Sequence, residues 1–310
     1  MNYGDLIGEA FRIAWRNRFL WVLGFLLGGA TVVSPTDFGT VSTNEPAWAQ
    51  DLGRWIENNV GLAILVLALT ILVIILVFLA LFALCRAALT ESIGAIARGE
   101  RRGFGSTLRG GLSYFWRVLL QTLLVGLISL AVVIPVYLLL AAAFVGLFAG
   151  IAATDSTAAR VVIALACVVA ILLLVVALVI ASVALAIVGQ LALRDLILGH
   201  SGIVSSIGNG YRIFRRNLGR TLLLLVMQIA IALGTSIVLF IVVTLLRLLF
   251  SIPVTALSGS WVSTTVAIAG SLLFSLPVFV LAGFLGTFYQ AYWTVAYLRL
   301  SAPDAQPPVA

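Results

Sequence analysis

Three times along this chain, over residues 5–18, 104–117 and 203–216, a short Arg-bearing segment with one apolar side runs directly into a long apolar stretch. At an offset of 200, Ile7, Gly8, Arg12, Ile13, Arg16 and Asn17 meet Ile207, Gly208, Arg212, Ile213, Arg216 and Asn217, and Phe11 meets Tyr211. At an offset of 99, Ser106, Gly111, Phe115, Arg117, Leu119, Thr122 and Leu123 meet Ser205, Gly210, Phe214, Arg216, Leu218, Thr221 and Leu222. Self-similarity at a long fixed period marks one structural unit built several times. The expected unit is an interfacial helix followed by two membrane spans.

The apolar stretches set the environment. With 63% hydrophobic and 9% charged residues, the chain falls far from soluble domains, in which about a quarter of residues are charged. Six runs approach or exceed the length needed to cross about 30 Å of hydrocarbon: Phe19–Val33, Val60–Cys85, Val118–Gly150, Val161–Leu191, Thr221–Phe250 and Ser263–Leu298. The first has the shortest core; the last four exceed one crossing without a polar break, which predicts tilted or protruding helices. The expected fold is therefore all-α, a polytopic bundle of six transmembrane helices in three helical-pair repeats, at about 1–90, 91–197 and 198–300, with a disordered tail over 301–310.

Charge orients this bundle. The formal net charge is +7, and all eighteen basic residues are Arg. Fifteen fall in the N-terminal segment, the second and fourth loops (taken to include Arg86 and Arg194) and the tail; only Arg54, Arg160 and Arg247 lie on the other side, which carries Asp37, Glu45, Asp51, Glu57 and Asp155. This asymmetry places both termini in the cytoplasm. The positive charge thus reads as orientation and as attraction for anionic inner-leaflet lipid, at about 1 kcal/mol per Arg, and not as a nucleic-acid surface. The basic start before a short apolar run has the outline of a signal peptide, with Gly28-Gly29-Ala30 as a cleavage region. Internal recurrence of the same segment favours its retention.

Within the first segment Asp5, Glu9, Arg12 and Arg16 share one helical face, opposite Leu6, Ala10, Phe11 and Ile13; Ser205, Asn209, Arg212 and Arg216 repeat the spacing in the third. The middle copy is looser, with Arg109, Ser113 and Arg117 in line. Ser106 and Ser205 are the expected N-caps. Each amphipathic helix is expected to lie on the cytoplasmic surface and turn into the membrane near Arg18, Arg117 and Arg220. Arg12, Arg16, Arg109, Arg117, Arg212 and Arg216 are the candidate contacts for anionic lipid.

Spans two, four and six leave the membrane alike, through Ala88-Leu89-Thr90-Glu91, Ala192-Leu193-Arg194-Asp195 and Tyr297-Leu298-Arg299. Glu91 and Asp195 are expected to pair with Arg residues of the neighbouring segments. On the opposite side Pro35, Asp37, Gly39, Asn44 and Pro46 mark irregular backbone, and from Ala47 the stripe Trp48, Leu52, Trp55, Ile56 predicts a short interfacial helix. Pro135 and Pro277 are candidate helix kinks. Ala267, Ser271 and Ser275, and Gly24 with Gly28, have the spacing that permits close helix contact.

Catalytic and cofactor patterns do not emerge. His200 stands alone, so no two-His metal site forms within one chain, and without Lys there is no phosphate loop of the Gly-rich Lys-Ser/Thr kind. Ser201, Ser205 or Ser206 with His200 and Asp195 supplies the residue types of a hydrolytic triad but no supporting pattern. Cys85 and Cys167 sit in or at the end of apolar runs and read as packing residues. The mid-span polar residues, Thr70, Ser129, Ser182, Gln228, Thr235, Ser236, Thr244, Ser271 and Ser275, are uncharged, unlike the acids and bases of ion-coupled transport.

The opening Glu9-Ala10-Phe11-Arg12-Ile13-Ala14-Trp15-Arg16-Asn17-Arg18-Phe19-Leu20-Trp21, the later Gly210-Tyr211-Arg212-Ile213-Phe214-Arg215-Arg216-Asn217 and the closing Tyr292-Trp293-Thr294-Val295-Ala296-Tyr297-Leu298-Arg299-Leu300 resemble a broad group of bacterial six-span membrane proteins of unknown function. That group is related to the membrane domain ahead of the catalytic barrel in some glycerophosphoryl diester phosphodiesterases. The resemblance implies the fold and a bacterial plasma-membrane location, and carries over no catalytic residue. The expected function is non-enzymatic: a scaffold or lipid-interacting component, with no cofactor. The alternative is a permease subunit for a lipid or small apolar solute, with a partner ATPase docking at loops 86–117 and 192–220.

Overall fold

The computed structural model describes residues 2–28, 47–256 and 261–301. The irregular loop marked by Pro35 to Pro46, the Gly29-Ala30 pair and the tail beyond Ser301 lie outside the described residues, as do the side chains of Trp48, Leu52, Arg247, Ala267, Ser271 and Ser275. Among the described residues every regular element is a helix: α1 (Tyr3–Arg16), α2 (Leu20–Gly28), α3 (Ala47–Asn58), α4 (Val60–Ala97), α5 (Phe104–Ala152), α6 (Thr157–Leu198), α7 (Ile203–Arg216), α8 (Leu218–Ala256) and α9 (Trp261–Ser301).

Among the described residues five stretches are long and apolar enough to cross a membrane: Val60–Ala97, Phe104–Ala152, Thr157–Leu198, Leu218–Val242 and Pro277–Ser301. The first expected run is helical over Leu20–Gly28, and the rest of it lies outside the described residues; those 9 residues alone extend about 14 Å. α5 and α9 continue as helix through Pro135 and Pro277.

Local chemistry explains where the Arg-bearing segments end. After α1, Asn17 leaves the helical region and its side-chain amide donates to the Ile13 carbonyl at 2.8 Å; after α7, Asn217 does the same to Ile213 at 3.3 Å. In both, the backbone N–H of the Asn donates to the same carbonyl, at 3.2 Å to Ile13 and 3.0 Å to Ile213, so each Asn holds the last turn by two bonds where the chain leaves the helix. The expected turn near Arg117 does not occur. At the corresponding position stands Val118, fully buried and with no polar group to close a helix end, and α5 runs unbroken through it for 49 residues. The N-cap expectation also shifts. Ser106 and Ser205 occupy third helical positions, where their hydroxyls donate back to the carbonyls of Gly103 at 2.8 Å and Gly202 at 2.9 Å. Gly103 also donates its amide to Ser106 Oγ, the reciprocal half of a capping box.

The loops are shorter than charge counting implied. Arg86 lies inside α4 and Arg194 inside α6, leaving residues 98–103 and 199–202 between helices. His200, with φ of 52°, takes the left-handed turn after Gly199 ends α6.

The chain groups into two compact units, Met1–Trp116 with Leu222–Ala310, and Arg117–Thr221. In the first, α9 is the central helix and packs on α1, α2 and α4. Its Thr287 hydroxyl donates to the Leu20 carbonyl at 3.0 Å, Tyr292 to the Leu224 carbonyl at 2.8 Å and Trp293 Nε1 to Gln228 Oε1 at 2.7 Å. α2 and α9 cross with backbones touching: a Cβ on Gly24 would strike the Gly283 carbonyl, and one on Gly286 would strike the Gly24 carbonyl. Phe11, Trp15, Trp21 and Phe284 interlock beside this crossing with ring centroids 5.5–6.0 Å apart. In the second unit α6 packs on α7.

Burial is polarised along the helices. In α4 the buried residues run from Ala83 to Ala95, in α6 from Ile187 to Ile197. From Val60 to Phe78, by contrast, α4 exposes large apolar side chains on every face, as lipid-facing helix does.

Because the α2–α9 crossing leaves no room for a methyl group, Gly286→Leu is expected to cost about 3 kcal/mol or more. Gly126→Leu, at a site where a Cβ meets nothing within 4 Å, is the control. Thermal unfolding of the detergent-solubilised protein checks this: a clear drop for the first variant and little change for the second.

Candidate functional site

The polar residues of the structure concentrate where α4, α6 and α9 each meet a basic segment. At the α4–α5 joint, Ser92 donates to Thr107 Oγ1 at 2.8 Å within the buried interior, and Arg102 meets Glu91 at 2.9 Å and Glu100 at 2.9 Å. Gly111 lies so near Ala88 that an added Cβ would come within 2.6 Å of the Ala88 Cβ, and a Cβ on Gly110 would come within 2.6 Å of Glu91 Oε2. At the α6–α7 joint, Asp195 Oδ2 accepts from Ser201 Oγ at 2.7 Å and from Asn209 Nδ2 at 2.9 Å. Gly210 there sits against Ala192, an added Cβ coming within 2.8 Å of its backbone nitrogen. At the α9–α1 joint, Arg299 donates to Glu9 at 2.6 Å and to the Asn2 carbonyl at 3.1 Å, while Ala10 and Ala296 are both fully buried.

Glu91 was expected to pair with an Arg of the segments, and the Arg it meets lies just before them. Glu91 takes Arg102, from the loop before α5. Asp195 accepts from the neutral donors Ser201 and Asn209. The carboxylate that a helix-end Arg does claim is Glu9, which stands in α1 where Asn209 stands in α7. Of the three serines of the candidate triad, Ser201 donates to Asp195, while Ser205 and Ser206 donate to the carbonyls of Gly202 and Ile203.

The six candidate lipid contacts behave as a different class. Arg12, Arg16, Arg109, Arg117, Arg212 and Arg216 are all exposed, and among the described residues none has an ion-pair partner. The structure brings two of them together: Arg212 and Arg216 line an open concavity of about 610 Å³ with Gly208, Tyr211 and Arg215, all on one face of α7. Arg12 and Arg16 share a face of α1, next to Trp15, over which the Arg18 guanidinium lies at 6.0 Å. Arg109 and Arg117 lie on α5. Arg215 and Tyr211 are site residues that stripe reasoning passed over, since it followed the four-three-four polar line and stopped at Arg216; the i, i+3, i+4, i+7, i+8 set from Gly208 would have found them. Among the described residues no group of three or more His, Cys, Asp or Glu side chains is placed to hold a metal.

Polar groups in the apolar helices are largely self-contained. Thr70, Ser129 and Thr235 donate to carbonyls one turn back at 2.8 Å each. Gln121, only 2% exposed in α5, has no hydrogen-bond partner on either amide atom. Sequence reasoning missed it because its run looked uniformly apolar.

A model of a family of unknown function, DUF7544, matches residues 14–303, and the chain belongs to that family. The match brings no link to the membrane domains of glycerophosphoryl diester phosphodiesterases. No curated protein and no solved structure matches the chain.

The joints differ in depth, which ranks their contributions. The Glu9 and Arg299 side chains are 38% and 30% exposed, so their screened attraction is worth under about 1 kcal/mol, whereas removing the nearly buried Asp195 carboxylate strands two donors at about 1–3 kcal/mol. Asp195→Ala is therefore expected to lower the melting temperature more than Arg299→Gln. The exchange Glu9→Arg with Arg299→Glu should recover most of what Glu9→Arg alone loses; thermal unfolding in detergent measures all four variants.

Proposed function

We propose that this member of the DUF7544 family is a non-enzymatic scaffold of the bacterial plasma membrane that gathers anionic phospholipid at the inner leaflet. In this reading Phe19–Val33 supplies a sixth crossing, three helical-pair units each begin with a basic amphipathic segment, and both termini are cytoplasmic. The observation that carries it is the division of the arginines. Arg102 and Arg299 have carboxylate partners at the joints, while Arg12, Arg16, Arg109, Arg117, Arg212 and Arg216 are exposed and have none among the described residues. Cations beside an anionic leaflet draw its head groups at about 1 kcal/mol each.

The likeness of the three joints supports the repeat. In two of them a small residue near the end of a long helix opposes Gly of a basic segment, Ala88 with Gly111 and Ala192 with Gly210; at the third, Ala296 of α9 and Ala10 of α1 are both fully buried. The permease alternative draws on Pro135 and Pro277, but those helices continue through both residues. The polar groups Thr70, Ser129, Gln228 and Thr235 are bonded within the fold, which favours the scaffold.

Replacing Arg12, Arg16, Arg212 and Arg216 together with Gln is expected to reduce phosphatidylglycerol retained on the purified protein at least about tenfold, as the loss of several ionic contacts implies. Quantitative lipid mass spectrometry provides the measurement. Retention equal to the parent protein sinks the proposal, and capture of an ATPase at residues 86–117 or 192–220 by cross-linking would favour the permease instead.

A further inference from the structure

The three basic segments are not equivalent. Along the face that begins at Gly208, α7 presents Tyr211, Arg212, Arg215 and Arg216. The corresponding residues of α1 are Gly8, Phe11, Arg12, Trp15 and Arg16; those of α5 are Arg109, Leu112, Ser113, Trp116 and Arg117. Where the first two carry Trp, the third carries a cation. In α1 that Trp stacks on Phe11 at 5.9 Å and meets Phe284 at 5.8 Å, so the face is closed by rings. Trp116 is exposed at 69% and suits an interface anchor.

α7 has the opposite build. Helical side chains lean toward the N-terminus, so Arg212 and Arg215 project over the preceding turn, where Gly208 has no side chain. A Cβ there would meet nothing within 4 Å, and the open concavity of about 610 Å³ lies at this place. Three guanidiniums without a carboxylate partner among the described residues, and a phenol beside them, face one small volume. Guanidinium forks match phosphate oxygens two at a time, and a cluster of three is best neutralised by a phosphate carrying close to two charges.

We propose that the Gly208–Arg216 face of α7 is a discrete binding site for a phosphomonoester group, with Arg212, Arg215 and Arg216 as its ligands and Gly208 as its floor. This rests on the anionic-lipid reading above but goes beyond it, since it assigns one stereochemical site in place of a diffuse basic surface. The same group comes from two sources, a phosphatidic acid head group or a soluble phosphate.

The test uses the full chain in detergent, titrated with short-chain phosphatidic acid and, separately, short-chain phosphatidylglycerol, with binding read by native mass spectrometry. The parent protein should bind phosphatidic acid about tenfold more tightly than phosphatidylglycerol, the margin expected of additional charge-assisted hydrogen bonds. Gly208→Leu puts a side chain on the floor of the concavity without removing a charge, at a position where an added Cβ meets nothing within 4 Å, and should abolish that preference with unchanged melting temperature. Gly8→Leu, its counterpart in α1, should leave the preference intact. Arg215→Gln should match Gly208→Leu. Displacement of phosphatidic acid by inorganic phosphate at comparable concentration supports the site and gives it a soluble ligand; resistance to displacement supports it with lipid as the ligand. The proposal is overturned if Gly208→Leu retains the parent preference or if the two lipids bind the parent equally. Either result leaves the broader lipid reading standing, whose own failure would be seen in the fourfold Arg→Gln protein.

Discussion

Backbone approach at Gly and Ala is the interaction on which the described packing depends. In hydrocarbon, side chains gain little by turning from lipid toward protein, because the tails are as apolar as Leu. Helices then associate through dense contact and polar bonds, and both need close approach. The Gly24–Gly283–Gly286 crossing and the Ala88–Gly111 and Ala192–Gly210 contacts supply it. Thr287 reaches the Leu20 carbonyl because the α2 and α9 backbones touch, and Asn209 reaches Asp195 where Gly210 lets α7 settle on α6. A methyl group at any of these glycines separates the helices and with them the bonded pairs.

The polar pairs at the joints are consequently free to vary. A buried Asp with two neutral donors, a half-exposed Arg–Glu pair and a Glu held by Arg102 against Gly110 occupy comparable places. Their chemistry even reverses sign between Asp195 and Arg299. Such exchange is tolerable when steric fit sets the register and polar groups only need partners, since an unpaired buried group costs more than any one pair contributes. Charge therefore says little about where these helices meet, whereas small residues say a great deal.

That difference governs how much was legible in the sequence. Long apolar runs announce long helices, and the basic segments announced α1 and α7, whose ends fall at Asn17 and Asn217, shortly before the Arg18 and Arg220 where turns were expected. The middle segment shared Arg117 with its counterpart but lacked the Asn, and an argument built on Arg placed a turn where Val118 keeps the helix going. Partner choice at Glu91 was illegible for a similar reason: every candidate Arg was near in sequence pattern, and only three-dimensional depth separates the half-buried Arg102 from an exposed one. The concavity on α7 was half visible. Its Arg residues and Gly208 were in plain view, but the polar line through Arg212 and Arg216 left out Tyr211 and Arg215, which share the face with Gly208.

The same economy bears on the arginines themselves. A cation near a membrane surface can neutralise a carboxylate, cover a ring or meet a lipid phosphate, and each choice excludes the others. Arg299 and Arg102 are committed to carboxylates and Arg18 to the face of Trp15. α1 closes its outward face with Phe11 and Trp15, which leaves Arg12 and Arg16 beside aromatic surface; α7 gives up the ring at the matching position and gathers three cations around open space. Holding Arg212, Arg215 and Arg216 on one face of α7 costs mutual repulsion. With no carboxylate partner for them among the described residues, an anion from outside the chain is what would relieve it.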